Sequence, residues 1–369
     1  MSADSDKDIS KLIRPDLADF SGYAASKSPE TLLEDELEVS AERIIKLDAN
    51  ENPYGCSPRV ASALASFTDV NIYPDASQTV LRKLLAQYSG VAAGHIVAGA
   101  GSDQLIDLII RLFVAPGEEV INCVPTFAMF RFFTELAGGT VVEVPRDDDF
   151  AVNVAAVKAA ITEKTKLILL ATPNNPTGTI MPREDILKIL GTGLPVVVDE
   201  AYYEFTGQTV APLVGKYPNL MVLRTFSKWA GLAGLRIGYG LFPSGIADYL
   251  MSIKEPYCVN AAAAVAVQET LRDMDYLMAN VRRIIAERER LFARLQEITW
   301  LKPYPSQANF ILCSVLKDEA RVLQRKLQKR GILVRYFDQP LLKNFIRISV
   351  GRPRDSDILI RTLQEIGGS

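Results

Sequence analysis

In the stretch Leu223-Arg-Thr-Phe-Ser-Lys-Trp-Ala-Gly-Leu-Ala-Gly-Leu-Arg-Ile-Gly-Tyr239, an apolar strand delivers Thr225, Ser227 and Lys228, and a glycine-rich segment follows as far as Arg236. Two hydroxyls and an arginine flanking one lysine suit a phosphate, with the lysine amine free for a Schiff base. Taken alone, a Ser-Lys pair after a strand reads as a solvated lysine. Two further strand ends alter that reading. The apolar run at 166–171 enters Thr172-Pro-Asn-Asn-Pro-Thr-Gly178, a turn too rich in Pro and Asn for helix or strand. The run Pro195-Val-Val-Val-Asp-Glu-Ala-Tyr202 ends its apolar part at Asp199, which in isolation also reads as the N-cap of a following helix. In a parallel sheet, ligands bind outside the carboxyl ends of the strands. Asn175, Asp199, Tyr202, Ser227 and Lys228 are therefore expected along one rim.

Outward from these ends, short runs of Val, Ile and Leu at 95–100, 119–123, 140–144, 166–171, 195–199, 220–225 and 235–241 read as strands buried on both faces. Helical segments such as 102–113 and 182–190 alternate with them, which predicts a sheet covered by helices on both sides. The expected class is α/β, with a mostly parallel seven-stranded sheet in a large domain at 71–255. Residues 41–70 and 256–369 are expected to form a smaller α+β domain. It would hold one long helical tract at 260–298, strands at 309–315, 332–336 and 345–350, and a helix at 318–330. Residues 1–40 are polar and read as an N-terminal arm with a short helix.

The chain has 369 residues, with 41 Lys and Arg against 44 Asp and Glu, so it carries no basic footprint for nucleic acid or an anionic membrane. Its single histidine, His95, argues against a Ser-His-Asp triad and a histidine-rich metal site, and no metal is expected. Proton transfer must then fall to Lys, Tyr, carboxylates or a cofactor. Cys56, Cys123, Cys258 and Cys313 form no C-x-x-C and are expected as buried free thiols in a reducing cytoplasm. No apolar run approaches the roughly 18 residues of a membrane span, and the polar start has no apolar signal segment. Gly99-Ala-Gly101 begins like a dinucleotide fingerprint, but Gln104 stands where its third glycine belongs.

Further runs complete the pattern: Lys46-Leu-Asp-Ala-Asn-Glu-Asn-Pro-Tyr-Gly55, Tyr73-Pro-Asp75, Gly101-Ser-Asp103, Pro125-Thr-Phe127, Ala308-Asn-Phe-Ile-Leu312, Gly331-Ile-Leu-Val-Arg335 and Arg347-Ile-Ser-Val-Gly351. In order and spacing over roughly residues 40–352, the sequence resembles the fold-type I pyridoxal-phosphate aminotransferases of class II. Within them it most resembles the histidinol-phosphate aminotransferases. The resemblance implies pyridoxal 5′-phosphate as cofactor, held by Lys228, which then shuttles the substrate's proton. Asp199 would pair with the pyridine nitrogen, Asn175 and Tyr202 would hydrogen-bond the ring's 3-oxygen, and Phe127 would stack on the ring. Ser102 and Asp103 would offer amides to the phosphate at a helix N-terminus, with Ser227 and Arg236 closing the cup and Thr225 beside them. Tyr73 resembles a tyrosine that reaches the phosphate in the partner subunit, which implies a homodimer with shared sites.

On the substrate side, the resemblance makes Arg347 the carboxylate anchor and Arg335 a contact for the substrate's phosphate, with Tyr23 and Asn52 as further contacts. The sequence departs from the subfamily in places. Gly22-Tyr-Ala-Ala-Ser-Lys27 lacks a Y-x-P-G pattern, Cys56 replaces a common Pro, and Phe127 lacks a hydroxyl. Arg352 and Arg354 add charge, read here as a solvated turn. A cis peptide is expected at Asn175–Pro176. The implied reaction is ping-pong transamination of L-histidinol phosphate with 2-oxoglutarate, giving imidazole acetol phosphate and L-glutamate. An aromatic aminotransferase, a threonine-phosphate decarboxylase and a non-catalytic binding module on the same fold are the competing readings.

Overall fold

The computed structural model describes residues 8–18, 20, 22, 31 and 44–368. The strands are β1 (Ile45–Leu47), β2 (Ile96–Gly99), β3 (Glu119–Val124), β4 (Thr140–Pro145), β5 (Thr165–Ala171), β6 (Val196–Asp199), β7 (Leu220–Thr225) and β8 (Gly238–Leu241). They are followed by β9 (Leu301–Pro303), β10 (Phe310–Val315), β11 (Ile332–Tyr336) and β12 (Phe345–Ser349). A seven-stranded sheet has the order β2-β8-β7-β6-β5-β3-β4, and only β8 runs antiparallel to its neighbours. This is the mostly parallel α/β architecture that the strand–helix alternation predicted. A second sheet, in the order β1-β11-β12-β10-β9, is antiparallel except where β1 lies parallel to β11.

Side-chain alternation divides the large sheet's burial between two layers. Val97, Val120, Leu167, Leu169, Val197, Met221 and Leu223 pack on one face with the helix Gly101–Phe113. Ala98, Ile121, Ile168, Leu170, Val196, Val198 and Val222 pack on the other. In the smaller sheet, Leu47, Val334, Ile346 and Ile348 face a separate core with Leu323, Leu327, Leu359 and Leu363 from its helices. The long helix Met274–Gln296 joins the layers, burying Val281 and Ile284 in the large-sheet core that holds Ala98 and Ile121, and Leu291 and Leu295 in that of the smaller sheet.

Several expectations need correction. The tract at 260–298 is two helices, Ala261–Leu271 and Met274–Gln296. Asp273 leaves helical geometry between them, and its carboxylate accepts a hydrogen bond from Ser57 Oγ, a contact made across the fold that engages the side chain outside either helix. The strand expected from 235 begins at Gly238, because Ala233–Leu235 is a short 3₁₀ turn and Arg236 takes a left-handed φ of 51°. Strands β1 and β9, of three residues each, were too short to register as apolar runs. All four cysteines are free, but Cys56 and Cys258 are only half-buried.

Candidate active site

The large sheet's register sets the site's floor. Asp199 ends β6 opposite Ala171 of β5 and Leu223 of β7, so the polar segments that follow these strands open at one edge. There a cavity of about 540 Å³ is lined by Asp199, Tyr202, Asn175, Thr225, Ser227, Lys228, Arg236, Ser102, Asp103 and Phe127, with Arg335 and Arg347 across from them. The smaller sheet supplies that far wall. Its register sets Arg335 of β11 beside Arg347 of β12, both on the face opposite the apolar core.

Asp199 is buried, and its Oδ1 accepts from the Ala201 amide at 2.9 Å. Burial pushes its carboxyl up to about 7 against that hydrogen bond, so a positive charge placed beside it would favour the ionised form. Lys228 Nζ donates to the Ala49 carbonyl at 3.1 Å. Burial, reinforced by the positive charge of Arg347, pulls the amine down to about 8. Arg347 itself is buried, donating to Asn175 Oδ1 at 2.6 Å and to the Asp48 carbonyl at 2.5 Å. Asn175 follows the Thr172–Pro173 cis bond and precedes the expected cis bond to Pro176; Val124–Pro125 is also cis.

One end of the cavity is built for an anion. The helix Gly101–Phe113 presents its first amides there with no side-chain cap, and an uncapped N-terminus attracts negative charge. Strand β8 passes so close that a Cβ on Gly238 would lie 2.4 Å from the Ser102 nitrogen, so only glycine leaves the amides clear. Gly101, at φ +80°, admits the Arg236 guanidinium, which would stand 2.7 Å from a Cβ there. Arg236 also pairs with Asp103 at 2.8 Å. Thr225 Oγ1 donates to Ser227 Oγ at 3.0 Å. Amides, hydroxyls and a guanidinium around one space form the donor set a phosphate monoester requires. The residues present thus fit pyridoxal phosphate: an anion cup, a lysine amine and a buried carboxyl in one cavity, with the Phe127 ring on its wall.

Three expected site residues stand apart. Asn52 does not line the cavity: its Nδ2 donates to the Trp229 carbonyl at 2.7 Å and its Oδ1 accepts from the Tyr54 amide, so the side chain is used within its turn. Tyr73 is 78% exposed, stacked on Tyr257 with ring centroids 4.6 Å apart. Tyr23 lies outside the described residues. His95 contacts the Phe242 carbonyl at 2.7 Å through Nδ1, away from the cavity, in a structural role.

Sequence reasoning missed the site residues of β1 and of the segment after it. Lys46, Asp48, Ala49, Asn50 and Glu51 all line the cavity. Asn50, at φ 55°, donates from Nδ2 to Tyr202 Oη at 2.9 Å and exchanges hydrogen bonds with Ser349. The signal was present in the run of Asp and Asn from Asp48 to Asn52, since asparagine tolerates the left-handed conformation that such a corner needs.

The description "Aminotransferase class I and II" belongs to the family whose profile matches residues 42–363. A histidinol-phosphate aminotransferase of Dehalococcoides mccartyi is 57% identical over 97% of this chain and 99% of its own. A chloroplastic histidinol-phosphate aminotransferase of Arabidopsis thaliana is 44% identical over 99% of this chain and 88% of its own. Among solved structures, a histidinol-phosphate aminotransferase from Sinorhizobium meliloti in complex with pyridoxal-5′-phosphate superposes with a TM-score of 0.85 at 29% identity, covering 94% of this chain and 96% of that one. An L-threonine-O-3-phosphate decarboxylase from Porphyromonas gingivalis, at 22% identity and a TM-score of 0.78 over 88% of this chain and all of that one, shares the fold alone. With nearly its whole length matched in this way, the chain belongs to the class I and II aminotransferase family.

Proposed function

We propose that the protein is a pyridoxal-phosphate-dependent enzyme that moves the amino group of L-histidinol phosphate to 2-oxoglutarate, forming imidazole acetol phosphate and L-glutamate in histidine biosynthesis. One observation carries the reading: a lysine amine lowered to about 8 shares a single cavity with a buried carboxyl, an anion cup and two adjacent arginines. The 57% identity over nearly full length favours histidinol phosphate over the substrates of more distant relatives.

Pyridoxal phosphate supplies an electron sink for charge developing at the substrate Cα. Ser102, Asp103, Thr225, Ser227 and Arg236 would hold its phosphate, with Phe127 on the wall beside its ring. Asn175 and Tyr202 hold the ring's 3-oxygen, with Asn50 fixing the Tyr202 hydroxyl. Asp199 would pair with the ring nitrogen, since a positive charge there would lower the carboxyl's affinity for its own proton and the carboxylate would in turn favour a protonated ring. Lys228 would hold the cofactor, and its amine, lowered to about 8, suits it to take a proton at the substrate Cα in the neutral form. Arg347 and Arg335 orient anionic substrate groups, and a planar guanidinium suits both carboxylate and phosphate.

The working unit in this proposal is a homodimer in the cytoplasm. The exposed Tyr73, flanked by exposed Val70 and Ile72, supports a partner surface there, and the unpaired thiols fit a reducing compartment. Among the described residues no helix is long and apolar enough to cross a membrane. The deciding experiment offers the purified enzyme histidinol phosphate, phenylalanine and threonine phosphate, each with 2-oxoglutarate. Fast glutamate formation with histidinol phosphate is expected. Turnover confined to phenylalanine, or carbon dioxide release from threonine phosphate, refutes the assignment.

A further inference from the structure

Under the reaction proposed above, both amino donors must fit one cavity. Histidinol phosphate carries a phosphate and an imidazole, whereas glutamate carries two carboxylates. Arg335 and Arg347 suit the phosphate of one and a carboxylate of the other. What remains is an imidazole, which offers an N–H donor and is neutral or cationic, or a second carboxylate, which only accepts. A wall of one sign favours one of these and repels the other.

We propose that the ion pair of Lys46 and Glu51 is a two-way specificity element: Glu51 accepts the imidazole N–H of histidinol phosphate, and Lys46 takes the second carboxylate of glutamate or 2-oxoglutarate. Both residues line the cavity, with Lys46 Nζ 2.6 Å from Glu51 Oε2. Lys46 sits on β1 on the face opposite the core residue Leu47, the face that carries Arg335 and Arg347 on the neighbouring strands. The side chains are 26% and 46% exposed, so the pair can part without stranding a charge in an apolar interior. When Glu51 turns to an imidazole, Lys46 keeps a counterion in the buried Asp48, whose Oδ1 lies 3.3 Å away. When a carboxylate arrives instead, it replaces Glu51 on the same ammonium. The charge of Glu51 also acts on Lys228, as expected for a group facing the reacting end of the cavity.

The test separates the half-reactions of the holoenzyme by stopped-flow absorbance, with histidinol phosphate or glutamate as sole donor. Calorimetric titration with glutarate, an unreactive dicarboxylate, gives a readout independent of turnover. Lys46→Gln is expected to weaken glutarate binding and raise the glutamate KM about tenfold or more, the cost of one charge-assisted hydrogen bond. Its histidinol phosphate KM moves by a smaller factor, so the ratio of the two donors' KM values shifts toward histidinol phosphate. Lys46→Arg restores glutarate binding. Glu51→Ala raises the histidinol phosphate KM by a similar factor and leaves glutamate unchanged or improved. If either substitution moves both donors alike, or moves neither, the proposal is overturned. A wild-type enzyme that ignores histidinol phosphate removes the assigned reaction instead, and the glutarate titration then still decides the role of Lys46.

Discussion

Raising the pH of the cofactor-free protein should carry Lys228 through its titration well before an exposed lysine. Its amine is pulled from the ordinary 10.5 to about 8, first by burial and then by Arg347. At 1.36 kcal/mol per pH unit, this is a destabilisation of the ammonium by about 3 kcal/mol. At pH 7 about one amine in ten is neutral, roughly 300 times the fraction for an unperturbed lysine. Trace labelling with acetic anhydride followed by peptide mass spectrometry reads that fraction directly, with surface Lys158 as reagent control. Labelling of Lys228 should climb tenfold per pH unit below 8 and level off above it. Arg347→Met should move the midpoint upward, because removing a neighbouring cation favours the ammonium. Since the folded value lies below the unfolded one, this lysine detracts from stability most below pH 8, and the penalty fades towards 10.5. Labelling that still climbs tenfold per unit between pH 9 and 10 would refute the account.

Asp199 gives the converse test. Its folded value near 7 exceeds the unfolded 3.8, so its contribution to stability falls as pH rises between those values. Asp199→Asn should therefore stabilise the cofactor-free chain by up to about 4 kcal/mol at pH 8 and little at pH 3, read as urea midpoints. In the loaded enzyme it should cut turnover by orders of magnitude. Glu200 is buried against Arg224 at 2.9 Å and also accepts from Thr209 Oγ1 and the Val210 amide. Glu200→Ala leaves that guanidinium unpaired and should cost about 3–5 kcal/mol by denaturant unfolding; a loss under 1 kcal/mol contradicts the pairing. Gly238→Ala pushes a methyl group against the Ser102 amide and should weaken pyridoxal phosphate binding, measured by fluorescence, by at least about tenfold; unchanged affinity removes the anion cup from this site.

The parts of the fold written in periodic hydrophobicity were the legible ones. Continuous runs such as Val196–Asp199 and Leu220–Thr225 have no amphipathic alternative, and their polar ends located the cavity floor. What escaped were features decided by contacts distant in sequence. Ile45–Leu47 is a strand because Ile332–Tyr336 lies beside it, and three residues carry too little pattern to say so. The helix break at Asp273 depends on Ser57, over two hundred residues away. The family resemblance made Asn52 a substrate contact, yet the turn points Asn50 at Tyr202 and Asn52 at the Trp229 carbonyl.

The parallel pairing of β1 with β11 has a consequence for synthesis. Residues 45–51 leave the ribosome early, but the strand that fixes them follows almost three hundred residues later. At about 5–20 residues per second, that is a wait on the order of 15–60 s. Once Leu241 has been made, the seven-stranded sheet has every strand it needs, while β1 still lacks β11. The wall that carries Arg335 and Arg347 is thus set last, and a nascent chain presents the lysine and carboxylate floor before that wall encloses it.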